Sequence, residues 1–181
     1  MGPKAIFFLA GISILGLPGC GDRNQANTTI GEVFPLPAVS DIEHLGGRDI
    51  DLGDKTLVIN FWATWCAPCR REMPDLQRLS DTLDRDSFEV IGISIDEDSN
   101  LAREFLLEYG IRFANYRDPE QRLASGLLGI RALPVTFIVA ADGSILNRVT
   151  GELVWNEAKF EALLNGRQAD ESAPAGNRFD G

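Results

Sequence analysis

Two cysteines separated by two residues, Cys66-Ala67-Pro68-Cys69, are the groups in this chain best suited to chemistry. A thiolate can attack a disulfide or hold a metal, and paired thiols at this spacing suit either task. A structural staple is a poorer reading, because so short a loop removes little freedom from the unfolded chain. Structural zinc needs four ligands, and beyond this pair the chain offers only His44 and Cys20. Thiol–disulfide exchange needs the pair alone, one sulfur attacking and the other resolving the mixed disulfide.

The surrounding sequence assigns the two sulfurs different positions. Thr56–Trp62, TLVINFW, has the length and composition of a buried strand. After a turn, Cys66–Leu83 predicts a helix whose inward stripe runs through positions 69, 73, 76, 79 and 83. Cys66 then stands at the helix start, where free N–H groups and partial positive charge stabilise a thiolate. It is the expected attacking sulfur, and Cys69, one turn on, the expected resolving one. Pro68 lacks a backbone donor and stiffens the turn between them.

Glu72 lies three residues beyond Cys69, on the stripe that carries Leu76, Leu79 and Leu83. Burial there would desolvate its carboxyl, raise its pKa and suit it to take a proton from Cys69. At the edge of the stripe it would reach water as an ordinary acid, and the residues alone leave both readings open. Trp65, just before the reactive cysteine, is expected to shield the site. Trp62, Trp155 and the phenylalanines are expected in the core.

The stretch FWATWCAPCRREMPDL resembles the TlpA/ResA-type thiol–disulfide oxidoreductases, exported or membrane-tethered members of the thioredoxin superfamily. The resemblance runs from about Gly31 to Leu164. It implies an α/β, thioredoxin-like fold: a central mixed β-sheet flanked by helices, with an N-terminal β-hairpin and a central helical insertion over Asp96–Asp118. It also implies attack by Cys66, resolution by Cys69 and proton transfer by Glu72, which favours the acid/base reading. Pro74 matches the family's helix proline, and Asn60 falls where thioredoxins keep a buried aspartate.

Leu133-Pro134 matches a cis-proline loop facing the disulfide, although X–Pro bonds in general favour trans. In that loop the Leu133 backbone would pair with a substrate strand. Trp65, Pro68, Leu133 and Pro134 are therefore the expected substrate-contacting residues. Val135 stands where threonine is common in the family.

No cofactor beyond the redox-active Cys66–Cys69 disulfide, and no metal, is expected. The implied activity is reduction of disulfides in exported proteins, apocytochrome c cysteines among them, with electrons from a membrane thiol protein. Two other classes share related folds. A peroxiredoxin-type peroxidase would carry proline at Ile59 and threonine at Ala63, and both are missing. A Sco-like copper chaperone uses a wider cysteine spacing and a downstream histidine, and no histidine follows His44.

The rest of the chain supplies setting and scaffold. Its 181 residues, 44% of them apolar, suffice for one domain plus tails. Met1–Gly19 reads as a signal peptide, with Lys4 before the apolar run Ala5–Leu17, which is short for a membrane span. It ends in Leu17-Pro18-Gly19-Cys20, resembling a lipobox, so Cys20 is the expected lipidation site and residues 20–31 a polar tether. The domain is expected over 32–165 and a disordered tail over 166–181. These features place the protein on the periplasmic side of a bacterial membrane, held by a lipid anchor. The net charge of −10 argues against nucleic acid as a partner.

Within the domain, Glu32–Asp54 suggests a small hairpin turning at Gly46-Gly47, and Phe88–Ile95 a second buried strand. Asp98 or Ser99 caps a helix reaching Tyr109, and Asp118-Pro119 starts another that turns Leu123, Leu127 and Leu128 inward. Val135–Ala140 is a third core strand, joined through Asp142-Gly143 to Ile145–Val149. A last helix covers Asn156–Leu164.

Overall fold

The computed structural model describes residues 30–40, 42–47 and 54–165. The leader, Cys20, the tether as far as Thr29 and the tail 166–181 lie outside the described residues. Among the described residues no helix is long and apolar enough to cross a membrane.

Six strands form one mixed sheet: Glu43–Gly46 (β1), Thr56–Trp62 (β2), Phe88–Ser94 (β3), Ala114–Arg117 (β4), Val135–Val139 (β5) and Ile145–Thr150 (β6). Their order is β1-β4-β3-β2-β5-β6. Leu57, Val58, Ile59, Phe61 and Trp62 are all fully buried, so β2 is covered on both faces and takes a central place. It runs parallel to β3 and antiparallel to β5. A parallel neighbour requires a crossover, which the helix Ala67–Thr82 (α2) supplies. Strand β6 alternates instead, burying Ile145, Asn147 and Val149, as an edge strand with one solvated face does. Gly143, at a φ of 85°, makes the turn between β5 and β6.

The helices Leu36–Ser40 (α1), Ser99–Glu108 (α3) and Glu157–Leu164 (α4) complete the layers. The Asp98 carboxylate accepts from the Asn100 N–H at the start of α3, and the Asn156 side chain from the Lys159 N–H at the start of α4. Trp62 packs against Phe105 of α3, and Phe88 meets Phe160 of α4 edge to face.

Three expectations need correction. The N-terminal segment holds a short helix not expected there: α1 occupies its start, and β1 pairs with β4. The arm that would follow Gly46-Gly47 lies outside the described residues. Earlier in the segment, Gly31 and Phe34 donate to the carbonyls of Ile145 and Gly143, so the segment covers the exposed edge of β6 instead. Second, strand β4 was not expected within the helical insertion. Four residues with a central asparagine are too short and polar to announce a strand.

Third, Pro119 does not begin a helix. Gln121 adopts a left-handed φ of 53°, and the turn that follows, Arg122–Leu127, is a wide π turn. Asp118 still caps it, its Oδ2 accepting from the N–H groups of Leu123 and Ala124 at 3.0 and 2.8 Å. Leu123 and Leu128 are buried, but the widened turn leaves Leu127 half in solvent.

Gly92 sits where β3 passes closest to its neighbours. A Cβ there would fall 2.0 Å from Asn115 Oδ1. That oxygen cannot retreat freely: it accepts from Trp62 Nε1 at 3.0 Å, while Asn115 Nδ2 donates to the Phe113 carbonyl at 2.9 Å. Gly92→Ala should therefore destabilise the fold by about 1–3 kcal/mol through overpacking. Urea denaturation followed by tryptophan fluorescence measures this, and an unchanged midpoint would show that the Asn115 side chain yields.

Candidate functional site

The reactive segment begins where β2 ends. Beyond Trp62 the chain turns through Ala63, Thr64 and Trp65, and the Asp96 carboxylate fixes that turn. It accepts from the Thr64 N–H at 3.0 Å and the Thr64 hydroxyl at 2.8 Å. Ser94 Oγ donates to the same carboxylate at 2.8 Å, tying the end of β3 to the turn. Cys66 donates its N–H to the Ala63 carbonyl and becomes the N-cap of α2.

Cys66 and Cys69 are joined in a disulfide, with Cα atoms 5.3 Å apart. The Cys69 N–H donates to Cys66 Sγ at 3.3 Å, so an amide at the helix start points at the first sulfur. Cys66 is 6% exposed and Cys69 fully covered. Of the two cysteines only Cys66 presents any surface to a reactant. Pro68 lies in the first turn of α2, where no donor is needed. Pro74 lies inside the helix and leaves the Arg70 carbonyl without its usual partner.

Glu72 is 1% exposed, on the inward stripe rather than at its edge. Asn60 Nδ2 donates to its Oε1 at 2.6 Å. The Leu153 N–H and Trp155 Nε1 reach its Oε2 at 3.1 and 3.4 Å. Desolvation by burial raises its pKa from 4.5 to about 7, and nearby Glu152 adds to the rise, while the three donors work against it. Asn60 Nδ2 also donates to Thr136 Oγ1 at 2.9 Å, and its Oδ1 is buried without a partner. A salt bridge between Arg71 and Glu152 holds the 151–155 loop over this carboxyl.

The Leu133-Pro134 peptide bond is cis. The Pro134 carbonyl accepts from the Gly151 N–H at 2.9 Å, whereas Leu133 makes no backbone hydrogen bond among the described residues. Trp65 is 68% exposed and lies with Leu133 along one cleft, so it is a rim residue and not core. Trp62 and Trp155 are buried, as expected.

Of the residues named from the sequence, Cys66 and Cys69 are joined in a disulfide, Glu72 is buried, Trp65 is exposed and the bond before Pro134 is cis. Sequence reasoning missed Asp96, whose place directly after a buried strand was the available signal. It also missed that Asn60, Leu153 and Trp155 converge on Glu72 from two separate segments, with Thr136 behind Asn60. Among the described residues no three histidine, cysteine or acidic side chains cluster to hold a metal. His44 lies on β1, edge-on to Tyr116. The arrangement can therefore form and break a disulfide at one accessible sulfur, with a titratable carboxyl buried one helical turn behind the second.

Comparison with known proteins agrees with this chemistry. Residues 32–148 match the AhpC/TSA family. The thiol-disulfide oxidoreductase ResA of Bacillus thuringiensis (strain Al Hakam) is 33% identical over 126 residues, covering 68% of this chain and 70% of the relative. The thiol:disulfide interchange protein HelX of Rhodobacter capsulatus is 33% identical over 178 residues, covering 90% and 97% of the two chains. Among solved structures, a thiol:disulfide interchange protein DsbE from Chlorobium tepidum superposes with a TM-score of 0.61 at 24% identity, over 76% of this chain and 94% of the other. A DsbF homologue from Corynebacterium diphtheriae gives 0.58 at 29% identity, over 68% and 80%. With its single accessible sulfur at a helix start and its buried glutamate, this chain belongs to the AhpC/TSA family and, within it, to the TlpA/ResA-type thiol–disulfide oxidoreductases of thioredoxin fold.

Proposed function

We propose that the protein reduces disulfides of exported proteins, apocytochrome c cysteine pairs among them, while held at the outer face of a bacterial membrane by lipid on Cys20. The observation that carries the chemical assignment is the unequal access of the two sulfurs. Cys66 has surface and an amide aimed at its sulfur, and Cys69 has neither.

In the reduced protein the Cys66 thiolate attacks one sulfur of the substrate disulfide. A mixed disulfide forms and the other substrate sulfur leaves as a thiolate. Cys69 passes its proton to the Glu72 carboxylate and attacks Cys66 Sγ. The substrate's second thiolate is released, and the protein keeps the Cys66–Cys69 disulfide. Two electrons have moved to the substrate, and a dithiol protein of the membrane returns the pair to its reduced form. A carboxyl with a pKa near 7 gains and loses a proton at little cost in this range, which suits it to serve Cys69. The unpaired Leu133 backbone offers an extended substrate a main-chain N–H and C=O beside Cys66. Pro68 and Pro134 hold the two sides of that approach, and Trp65 forms its rim.

Cys66→Ser is expected to abolish reduction of a model disulfide, and Cys69→Ser to accumulate mixed disulfides with substrates. Non-reducing electrophoresis and mass spectrometry of trapped adducts measure both, and identical behaviour of the two variants would remove the assignment.

The Glu72 carboxyl yields a prediction with a definite sign. Its folded pKa is raised above its unfolded value, so the folded state holds this proton more tightly than the unfolded chain. Stability should be fully retained below about pH 4.5, fall as pH rises towards 7 and level off above. A shift of this size corresponds to on the order of 3 kcal/mol. Glu72→Gln should abolish that decline and slow resolution by Cys69 more than attack by Cys66. Its new amide can donate to the unpartnered Asn60 Oδ1 once the Asn60 side chain turns over. Denaturation of the oxidised proteins at pH 4 and pH 8 tests the first point, and a parallel decline in the variant would reject it.

Cys20→Ala is expected to release the protein from membranes with its exchange rate in solution unchanged. Fractionation of cells carrying the variant checks this, and retention in the membrane fraction would favour an uncleaved leader as the anchor.

A further inference from the structure

Against Trp65, the residue before the reactive cysteine, lies a hollow that the exchange reaction itself does not require. It measures about 300 Å³ and runs between Trp65 and Leu133, with Gln121, Ser125, Ile130 and Arg131 in its walls. Two unusual stretches of backbone shape it: the left-handed Gln121 and the π turn that follows. A non-glycine residue in that region costs on the order of 1–3 kcal/mol, and such costs, like π turns, concentrate where a protein binds something.

The charge in this hollow is as distinctive as its shape. Among the described residues that line it, Arg131 alone is charged. Its guanidinium has no hydrogen bond or ion pair among the described residues. Other arginines nearby are engaged: Arg70 with the Tyr109 hydroxyl, Arg71 with Glu152, Arg117 with Glu43 and Arg122 with Glu120. The buried acids on the segments that build the walls face inward, Asp96 to Thr64 and Ser94, and Asp118 to two N–H groups of the π turn. In a chain of net charge −10, the cleft against Trp65 has a free cation in its wall.

We infer that this cleft receives the residues flanking the target cysteine and that Arg131 selects substrates with an acidic side chain there. The inference rests on the exchange reaction proposed above. A substrate strand paired with Leu133 runs along the cleft whose wall Arg131 shares. An aspartate or glutamate near the substrate cysteine then meets the guanidinium, while an apolar neighbour packs on Trp65 and Ile130. A lysine at the same position meets a like charge.

The test uses the full-length reduced protein in single-turnover reduction of matched peptide disulfides that carry Asp or Lys beside the cysteine. The readout is the ratio of the two second-order rates, which cancels any general loss of activity. An exposed ion pair changes a rate by up to about fivefold, and charge reversal turns attraction into repulsion, so Arg131→Glu should lower the Asp/Lys ratio about tenfold. Arg131→Gln should fall between. Arg85→Glu brings the same change in net charge just before β3, at the opposite end of the sheet, and should leave the ratio unchanged. The difference should fade in high salt. Equal ratios for Arg131→Glu and Arg85→Glu would overturn the inference. A wild-type protein inert even to neutral hydroxyethyl disulfide would overturn the exchange reading, and this inference with it.

Discussion

The carboxyl of Glu72, buried in the interior, is the constraint on which the rest of the site depends. An ionised carboxylate removed from water costs several kcal/mol unless donors replace its hydration. Three donors are supplied, from Asn60 on β2 and from Leu153 and Trp155 in the loop before α4. They do not fully repay burial, and the result is a pKa near 7 rather than one in the ordinary carboxylate range. The asparagine in the middle of an otherwise apolar strand follows from the same need, as does the docking of the 151–155 loop. The neutral acid needs an acceptor as well. Asn60 Oδ1, buried and unpartnered, would face the neutral acid if the amide turned over.

The two sulfurs owe their difference to the same strand and helix. A strand buried on both faces ends without exposing its flanks, so the chain must turn sharply into α2. Asp96 makes that turn rigid by joining the end of β3 to Thr64. Cys66 is left at the helix start, where amides are free, and Cys69 lies one turn deeper against the core, beside Glu72 on the helix surface. Reversing the roles would require the interior sulfur to meet a substrate, which its complete burial in the oxidised state forbids. The roles proposed for the two cysteines, attack by the outer and resolution by the inner, follow this difference in access.

The parts of this design that depend on local pattern could be read from the sequence. The run TLVINFW, the helix start at Asp98 or Ser99, the last helix near Asn156–Leu164 and the Asp142-Gly143 turn each carry their signal within a few residues, and each forms where it was expected. The features that escaped depend on distant neighbours. Strand β4 exists because β3 and β1 flank it, and its asparagine is spent on Trp62. The convergence on Glu72 joins positions 60, 72, 153 and 155, which no periodicity links. Gln121 defeats the rule that proline opens a helix, because a left-handed residue two positions later resets the chain. Leu127 turns outward for the same reason.

The choice between exchange and peroxidase chemistry follows from the residues behind the sulfur. A peroxidase must hold a small polar substrate against its thiolate, with donors supplied by the segment preceding the cysteine. Here that segment offers Ile59 and Ala63, both fully buried and apolar, and its one threonine, Thr64, donates its hydroxyl to Asp96. The cleft next to this segment is instead rimmed by an exposed tryptophan and the unpaired main chain of Leu133. That shape fits an extended peptide far better than a peroxide. The resolving sulfur is only one turn away and already bonded to Cys66, so a mixed disulfide can be resolved without unfolding α2. A site with its donors spent inward, a long open flank and a resolving thiol within reach is built to hand a disulfide between proteins.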